Sequence, residues 1–288
     1  MRILLTGGSG DLGTLVSQHL IKQGDTPVIL DITEPKIKNT EFIQGSITER
    51  NTVKEAIKDC DMVIHIAAWH GVHEEDRDAY DFHNLNVTGS FNVFEAAAQA
   101  GVQKFILISS TSVSKPYGLY GHTKVLNEEM AKAYADRHDM DILILRPRAF
   151  IPNWNKVIYK NFIDWAKWFW RGAVHIDDVV QATMKSIAHL KSNTIAFPPP
   201  ALPIDGKYDY TDTMLNQWDQ DGAGSTFKEH YSEFVGIAQE HDFDITRKPK
   251  KIGSTQAENI IGYKATYSIQ DMFKDLEEYG EKGPNKPF

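Results

Sequence analysis

The sequence contains a single cysteine, Cys60, and little else from which covalent or metal crosslinks could be built. One thiol excludes an internal disulfide and suits a reducing compartment. Neither a Cys-x-x-Cys nor a His-x-x-x-His pair occurs, and His70 and His73 lie in a polar segment without thiols. We therefore predict no metal site, because the usual ligand spacings are missing.

Long apolar runs are also missing, and so is an excess of positive charge. No run has the roughly 20 apolar residues of a membrane span, and the chain turns glycine-rich at Gly7, too early for a signal peptide. The formal net charge is −8, without the basic footprint of a nucleic-acid-binding protein. We therefore predict a cytoplasmic protein with neither a membrane nor a nucleic acid as its partner.

A glycine-rich segment follows the first apolar run. Residues 2–6 predict a buried strand, and the apolar spacing from Leu12 onward predicts a helix. In this context Gly7 would make the tight turn, Gly10 would let the backbone approach a pyrophosphate, and Gly13 would let the helix pack on the strand. The helix N-terminus would add unpaired N–H groups for phosphates. The segment predicts dinucleotide binding, and a flexible turn is the alternative.

An acidic residue ends the second predicted strand. Asp31 follows the apolar residues 27–30, eighteen positions after Gly13, where a carboxylate accepts hydrogen bonds from the adenosine ribose. Its charge would repel the 2′-phosphate of NADP, and no Arg or Lys follows immediately to neutralise it. We predict NAD as the cofactor. The alternative is a strand-end aspartate that caps a turn.

Strands and helices alternate through the first half of the chain. Such alternation predicts an α/β fold with a doubly wound parallel sheet of Rossmann type, and it places the ligand at the carboxyl ends of the strands. Further strands are predicted at 41–44, 62–66, 105–108 and 142–145, and helices at 49–59, 85–100 and 120–137.

We divide the chain into two parts. Residues 1–150 form an NAD-binding Rossmann domain, to which residues 174–198 return, and residues 151–173 and 199–288 form a small C-terminal substrate lobe. Predicted features of the second half are a strand that ends at the prolines 198–200 and helices at 161–170, 226–240 and 268–279.

A candidate acid/base pair follows the fifth predicted strand. Tyr120 and Lys124 are four residues apart and share one helix face. A phenol is a poor base at neutral pH because its pKa is near 10, and a nearby ammonium would lower that pKa. With Ser110 at the preceding strand end, the set suits alcohol–carbonyl chemistry. About one Tyr-x-x-x-Lys pair is expected by chance, so an exposed helical pair is the alternative.

Taken together, the motifs resemble the extended short-chain dehydrogenase/reductase family, of the NAD-dependent epimerase/dehydratase type. The similarity covers most of residues 1–190. The motifs that carry it are the segments 6–13, 65–68 (His-Ile-Ala-Ala), 86–89 (Asn-Val-Thr-Gly), 109–110 (Ser-Ser), 120–124 (Tyr-Gly-His-Thr-Lys), 145–147 (Leu-Arg-Pro) and 174–179 (Val-His-Ile-Asp-Asp-Val), with Ile261-Gly-Tyr-Lys264 near the end.

The resemblance implies a role for each of four catalytic residues. Tyr120 is the acid/base, and Lys124 sets its pKa and binds the ribose. Ser110 holds the substrate hydroxyl, and Asn86 is a backbone and water-relay residue, for which an ordinary polar residue at a helix start is the alternative. The cofactor contacts implied are Gly7, Gly10, Asp11, Leu12, Gly13, Asp31, Ser46, Ile47, Ala67, Ala68, Tyr120, Lys124 and Pro147.

The resemblance also implies a homodimer built by the helices 85–100 and 121–137 and their copies. Ala96, Ala97 and Ala100 on the first helix would permit close approach, or they would face the sheet instead.

The chain departs from the family pattern in two places. Only nine residues, 111–119, separate Ser110 from Tyr120, where relatives with large sugar substrates carry a long excursion. The substrate segment is compressed into 148–173 and is rich in tryptophan. The layout is similar to that of the small uronate dehydrogenases. We interpret the tryptophans as core residues of an amphipathic helix, with stacking on a sugar as the alternative.

The short Ser–Tyr segment predicts a substrate smaller than a typical nucleotide-diphospho-sugar. Arg148 follows Pro147, and its guanidinium could bind a carboxylate or phosphate bidentately; pairing with Asp177 or Asp178 is the alternative. The predicted substrate contacts are Trp69, His70, Thr111, Ser112 and Arg148.

These observations predict an NAD-dependent oxidoreductase or epimerase that acts on a carbinol or carbonyl carbon of a sugar, sugar acid or sugar nucleotide. Two alternatives stay open. One is an NAD(P)-binding sensor without turnover, although a sensor has no need of the four catalytic residues. The other is an NADP-dependent ketone reductase, which Asp31 disfavours.

Overall fold

The computed structural model describes residues 1–115 and 118–288; Pro116 and Tyr117 lie outside the described residues. Within the described part, a parallel sheet of seven strands forms the centre of the molecule. In chain order the strands are β1 (Arg2–Thr6), β2 (Thr26–Asp31), β3 (Glu41–Gln44), β4 (Met62–His65), β5 (Lys104–Ile108), β6 (Asp141–Pro147) and β7 (Ala201–Ile204). Across the sheet their order is β3-β2-β1-β4-β5-β6-β7.

The strands are apolar along their whole length because helices cover both faces of the sheet. In β1, Ile3, Leu4 and Leu5 have no exposed surface. Successive side chains point to opposite faces, so Ile3 and Leu5 join one core cluster and Leu4 joins the other. The strand order reverses at β1 and β4, which opens a crevice at their carboxyl ends. The predicted doubly wound parallel fold is confirmed.

Helices fill the connections, and none of those in the described ranges has the length and apolar character needed to cross a membrane. The α-helices are α1 (Asp11–Lys22), α2 (Arg50–Ala56), α3 (Ala79–Phe82), α4 (Ser90–Gln99), α5 (Leu119–His138), α6 (Phe162–Trp170), α7 (Ile176–Ser192), α8 (Asp212–Asn216), α9 (Ser225–His230), α10 (Val235–Glu240), α11 (Thr255–Ile261) and α12 (Ile269–Tyr279). Short 3₁₀ turns lie at Gly71–His73, Thr111–Val113, Ser232–Phe234 and Gly280–Lys282.

The helix predicted at 85–100 differs from the observed one. The helical stretch begins at α3 and runs to the end of α4, and its middle, His83–Gly89, has the wider π-helical turn. Asn86 lies in that stretch and is fully buried. Wider turns of this kind often occur at functional sites, and no apolar spacing could have predicted this one.

The last strand follows the prolines 198–200 instead of preceding them, so the strand predicted before them is wrong. β7 pairs with β6 from Ile144 to Pro147, and the Ile144 N–H reaches the carbonyl of Pro200. Proline has no N–H to donate to a neighbouring strand, so a central strand of a sheet excludes it, whereas an edge strand tolerates it. β7 is an edge strand. The segment that returns to the sheet therefore extends to Ile204, into the range 199–288 assigned above to the lobe.

An aromatic core cluster lies apart from the two clusters of the sheet. It joins α6 to α12 and to the short helices between β7 and α11, and the helix predicted at 226–240 is in fact α9, a 3₁₀ turn and α10. Trp165, Phe169 and Phe273 are buried in it, and Trp165 stacks on Phe169 with ring centroids 4.9 Å apart. We call residues 151–173 and 208–245, together with α12, the aromatic lobe.

The alanines expected at a dimer interface have another use. Ala96 and Ala97 are buried in the chain's own core beneath α4, and only Ala100 is exposed. The first two therefore pack toward the sheet, as the alternative above anticipates, and are not free to meet a second copy.

Candidate active site

A cleft of about 820 Å³ lies at the carboxyl end of the sheet, in the upper part of the size range of small-molecule sites. Within the described residues it runs from the glycine-rich loop to the start of α5. It is lined by all the predicted site residues except Asn86 and Thr111: Gly7, Gly10, Asp11, Leu12, Gly13, Asp31, Ser46, Ile47, Ala67, Ala68, Trp69, His70, Ser110, Ser112, Tyr120, Lys124, Pro147 and Arg148.

The glycine-rich loop has the shape that a pyrophosphate requires. Gly7 has a positive φ of 68°, and a Cβ there would lie 2.8 Å from the backbone of Ala67. A Cβ on Gly13 would lie 2.5 Å from the Cα of Gly8, so the turn after β1 and helix α1 touch through their backbones. At Gly10 the nearest atom to a Cβ is a carbonyl oxygen 3.4 Å away, which leaves the space above it open for a ligand.

The Asp31 carboxylate is held in place by two backbone groups. One oxygen accepts from the N–H of Ser9 at 3.0 Å, and the other accepts from the N–H of Thr33 at 3.0 Å. Each oxygen keeps a further lone pair, so the carboxylate is oriented and can still accept from ribose hydroxyls. Glycine cradle, oriented carboxylate and cleft together fit a bound dinucleotide.

Lys124 lies at the floor of the cleft with only 3% of its surface exposed. Its Nζ donates to the carbonyl of Ile108 at 2.7 Å. Burial lowers the pKa of this ammonium to about 8, while the carboxylate of Glu128, one turn along α5, acts to raise it. Glu128 is itself bound by Arg146 at 2.8 Å and by the Ser109 hydroxyl.

The phenol of Tyr120 keeps its proton at neutral pH in this structure. Burial raises its pKa to about 12, and a hydrogen bond with Ser110 acts in the opposite direction. The prediction that Lys124 lowers this pKa is wrong here, because the ammonium lies 5.7 Å from the centroid of the Tyr120 ring and donates to Ile108. Desolvation of the phenolate is the larger effect.

Ser110 is placed to serve the phenol. It lies two residues after β5 and caps the 3₁₀ turn Thr111–Val113, where its Oγ accepts from the N–H of Ser112 at 3.0 Å. With that lone pair occupied, its O–H is free to donate toward Tyr120. Thr111, by contrast, does not line the cleft, and its hydroxyl donates to the carbonyl of Pro147 at 3.5 Å.

Asn86 lies behind the cleft and not in it. Its Oδ1 accepts from the N–H of Trp69 at 2.7 Å, and its Nδ2 donates to the carbonyl of Trp69 at 2.8 Å and to the hydroxyl of Thr123 at 3.0 Å. The backbone role predicted for it matches these contacts. Thr123 was not predicted, although it lies inside the Tyr120–Lys124 motif.

A buried histidine links the strands to this frame. His65 bonds to the hydroxyl of Thr6 at 2.6 Å through Nδ1 and to that of Ser90 at 2.8 Å through Nε2. Ser90 in turn donates to the carbonyl of Asn86 at 2.5 Å. Burial lowers the pKa of His65 to about 3, so the ring is neutral. The network fixes the floor of the site from below.

The substrate side of the cleft contains a charge that is already paired. Arg148 donates from Nη1 to Asp205 at 3.3 Å, to the Lys250 carbonyl at 2.5 Å and to the hydroxyl of Tyr208. Its protein partner is thus Asp205, and not Asp177 or Asp178 as the alternative had it. Asp205 lies 57 residues away in sequence, and no local pattern could have revealed it.

The tryptophans divide between core and cleft. Trp165 and Trp170 are buried in the aromatic lobe, as interpreted from the sequence, but Trp168 is half-buried and lines the cleft. Trp154 donates from Nε1 to the carboxylate of Asp11 at 3.0 Å. The lobe is therefore tied directly to the glycine-rich loop.

Metal ligation has no geometric support in residues 1–115 and 118–288, where no three His, Cys, Asp or Glu side chains are grouped to hold an ion.

A parallel sheet carries a glycine cradle, an oriented acidic residue and a Ser–Tyr–Lys set at one edge, an arrangement that suits a dinucleotide-dependent site for alcohol–carbonyl chemistry. The sequence model of the NAD dependent epimerase/dehydratase family matches residues 3–155, more than half of the chain. The chain belongs to this family. The family confirms the predictions of an enzyme and of NAD as its cofactor.

Two relatives illustrate the range of the family. The UDP-glucose 4-epimerase of Lactobacillus helveticus is 29% identical over 163 residues, 48% of this chain and 48% of the relative. The uronate dehydrogenase of Pseudomonas syringae pv. tomato is 27% identical over 169 residues, 52% of this chain and 60% of the relative. The chain spans about half the length of the curated relatives it matches.

Solved structures extend the likeness over the whole fold. A UDP-glucuronic acid 4-epimerase from Bacillus cereus, in complex with UDP-glucuronic acid and NAD, has a TM-score of 0.71 at 19% identity. The match covers 97% of this chain and 98% of the other. At this identity the likeness establishes the shared fold alone.

Proposed function

We propose that this protein is an NAD-dependent oxidoreductase or epimerase that acts on a carbinol or carbonyl carbon of a sugar, sugar acid or sugar nucleotide. The observation that carries the proposal is the Tyr120 phenol, hydrogen-bonded with Ser110 and next to Lys124, in the same cleft as the glycine-rich loop. Binding alone needs no buried phenol of this kind.

The chain's residues divide the work. The N–H groups around Gly10 and Leu12 would hold the pyrophosphate, and Asp31 would accept from the ribose. Bound NAD would supply the hydride acceptor for oxidation of a carbinol carbon, and its reduced form would supply the hydride donor for reduction of a carbonyl carbon. Lys124, whose Nζ donates one N–H to the carbonyl of Ile108, would offer its remaining N–H groups to the ribose hydroxyls.

Tyr120 handles the proton. With a pKa of about 12 it is protonated at neutral pH, so it can donate to a substrate oxygen that gains negative charge when a carbonyl is reduced. In the oxidation direction the phenol must first lose its proton, and the resulting phenolate then accepts the proton of the substrate hydroxyl. The Ser110 hydroxyl donates toward the phenol oxygen of Tyr120 and so stabilises the phenolate. It would also hold the substrate hydroxyl beside that oxygen.

The aromatic lobe supplies the second wall. We propose that it is the substrate lobe, because its residues Asn155 and Trp168 line the same cleft as Tyr120. The wall beside Ser110 is short, since nine residues connect it to Tyr120. A substrate smaller than a nucleotide-diphospho-sugar fits this arrangement. Arg148 is already paired with Asp205, so its charge is only partly free for a substrate carboxylate.

The test is a screen of sugar acids, free sugars and nucleotide sugars with NAD, in which NADH absorbance reports net oxidation and NMR reports isomer ratios. Net oxidation releases NADH, whereas an epimerase recycles it and changes only the isomer ratio. We expect turnover of a small sugar or sugar acid. Turnover of a nucleotide sugar alone would contradict the small substrate, and NAD binding without any turnover would favour the sensor.

The homodimer and the cytoplasmic location stay predictions. Sedimentation at micromolar concentration tests the dimer, and a monomer there would contradict it.

A further inference from the structure

The helix that carries Tyr120 begins without a cap of its own. α5 starts at Leu119, and the preceding residue, Gly118, has no side chain that could accept from the first turn. The first N–H groups of a helix have no partner within the helix. In α5 those groups include the N–H of Tyr120 itself, at the second helical position. Something outside the helix must satisfy it.

Glu74 supplies the missing acceptor from a distant segment. Its Oε1 accepts from the Tyr120 N–H at 2.9 Å. A Cβ built on Gly118 would lie 3.2 Å from the same oxygen, so the carboxylate fills the space that a capping side chain would use. A negative charge at a helix N-terminus is also favourable because of the helix dipole.

Glu74 is itself tied to the frame of the site. It closes the 3₁₀ turn 71–73, where its N–H donates to the carbonyl of Gly71 at 3.2 Å. The turn follows Trp69, whose N–H and carbonyl are both bound by Asn86. A Cβ at Gly71 would lie 4.0 Å from the Tyr120 ring, so the turn also packs near the phenol. Asn86, Trp69 and Glu74 thus form one path to the first turn of α5.

We infer that Glu74 is a positioning residue, which fixes the first turn of α5 and so holds the Tyr120 phenol against Ser110. The nine-residue connection between Ser110 and Tyr120 leaves little chain that could do this from the other side. The inference rests on the proposed function, because it concerns the reaction that Tyr120 serves. Glu74 acts through the helix, and it is not among the described residues that line the cleft.

The decisive variants separate the effect of the Glu74 hydrogen bond from that of its charge. Glu74→Ala removes the hydrogen bond and the charge, whereas Glu74→Gln keeps an acceptor oxygen without the charge. Glu75→Ala, at an exposed neighbour, is the control for the loss of a glutamate side chain. The double variant Glu74→Ala/Gly118→Ser returns a cap to the helix itself. Serine is a strong N-cap residue, and Gly118 has φ −74°, which an L-residue adopts freely.

Two measurements are made on each full-length variant: amide hydrogen exchange of the peptide containing residues 119–122, and kcat together with KM for substrate and for NAD. In Glu74→Ala we expect faster exchange and a kcat lowered about tenfold, with KM for NAD within twofold, since small misplacements of a catalytic group are costly. In Glu74→Gln and in the double variant we expect the exchange rate and kcat to return most of the way to their wild-type values.

The outcomes are distinct. Faster exchange with an unchanged kcat in Glu74→Ala would overturn the positioning role. A lowered kcat that the double variant does not restore would overturn it too, because the carboxylate would then act by some other route. An unfolded Glu74→Ala would leave Glu74→Gln and the double variant to decide. Wild-type protein without turnover on any substrate would instead refute the proposed function, and the exchange data would still show whether Glu74 caps α5.

Discussion

The sheet and the aromatic lobe are held together by different kinds of contact. The sheet buries aliphatic side chains such as Leu4 and Ile29 in a regular parallel register, and the glycine-rich loop at its edge is shaped by backbone contacts. The lobe buries stacked rings such as Trp165 and Phe273 among short helices with irregular connections. A loop that is shaped by backbone contacts tolerates changes of side chain except at its glycines, whereas the packing of a ring cluster depends on each ring. The two regions should therefore fail in different ways when they are mutated.

The largest expected effect lies where the two regions meet. Tyr120→Phe removes the phenol oxygen and its hydrogen bond with Ser110, and we expect turnover to fall about 10²–10⁴-fold, the usual loss for a general acid/base. The cofactor is held by the sheet, so NAD affinity should stay within a few-fold. Kinetics and NAD titration by fluorescence measure both. More than about a tenth of the wild-type rate would contradict the role of Tyr120.

The next test addresses the lobe. Trp165 is 1% exposed, and Trp165→Ala should lower the free energy of unfolding by about 3–5 kcal/mol because it leaves a large cavity. Trp168→Ala, three residues on, is the matched control, since Trp168 is half-buried and faces the cleft. We expect it to change KM for substrate more than stability. Urea denaturation gives the stabilities, and equal losses in the two variants would argue against the division between core and cleft.

A third test addresses the sheet. Gly7→Ala places a Cβ 2.8 Å from the Ala67 backbone at a φ of 68°, and we expect a loss of about 1–3 kcal/mol in unfolding free energy. Gly10→Ala meets nothing closer than 3.4 Å, so its stability should match the wild type. Its NAD affinity should nevertheless fall, because the methyl group would occupy the open space above the loop. Thermal melts with and without NAD distinguish the two variants. A wild-type melting temperature for Gly7→Ala would contradict the predicted backbone strain at this position.

The smallest effect is a dependence of stability on pH. Lys124 has a pKa of about 8 in the fold and about 10.4 when unfolded. Between these values the unfolded chain binds the extra proton, so stability rises with pH, by at most about 1.4 kcal/mol per pH unit from this group. Compared with Lys124→Met, the wild type should gain stability from pH 8 to 10. Urea denaturation at each pH gives the unfolding free energies. If they change with pH in the same way in the two proteins, the lowered pKa of the buried Lys124 ammonium is contradicted.

The sheet half could be predicted from the sequence because its features are local. The glycine positions, the acidic strand end and the Tyr120–Lys124 spacing each lie within a few residues, and strand periodicity places them on one edge. What could not be predicted depends on distant contacts. Asp205 pairs with Arg148 across 57 residues, and Glu74 caps Tyr120 across 46. Neither partner is marked by any pattern around it.

The pKa of Tyr120 shows a further limit. Spacing alone places Lys124 near the phenol, and from that proximity a lowered pKa of the phenol is predicted. The balance between charge and burial depends on how deeply the ring lies and on where the ammonium points, and both are tertiary facts. In the structure burial dominates, so the direction of the shift could not follow from spacing.

The π-helical stretch His83–Gly89 has a consequence for how this region tolerates changes in chain length. Such a turn is an α-helix that has accepted one additional residue. Each residue of an α-helix rotates the chain by about 100°, so a single deletion that restored α geometry ahead of α4 would swing the Asn86 amide about 100° around the helix, away from Trp69. In this segment substitutions change side chains one at a time, whereas an insertion or deletion of one residue changes the direction of everything before it. Residue count, more than residue identity, keeps Asn86 facing the backbone that it binds.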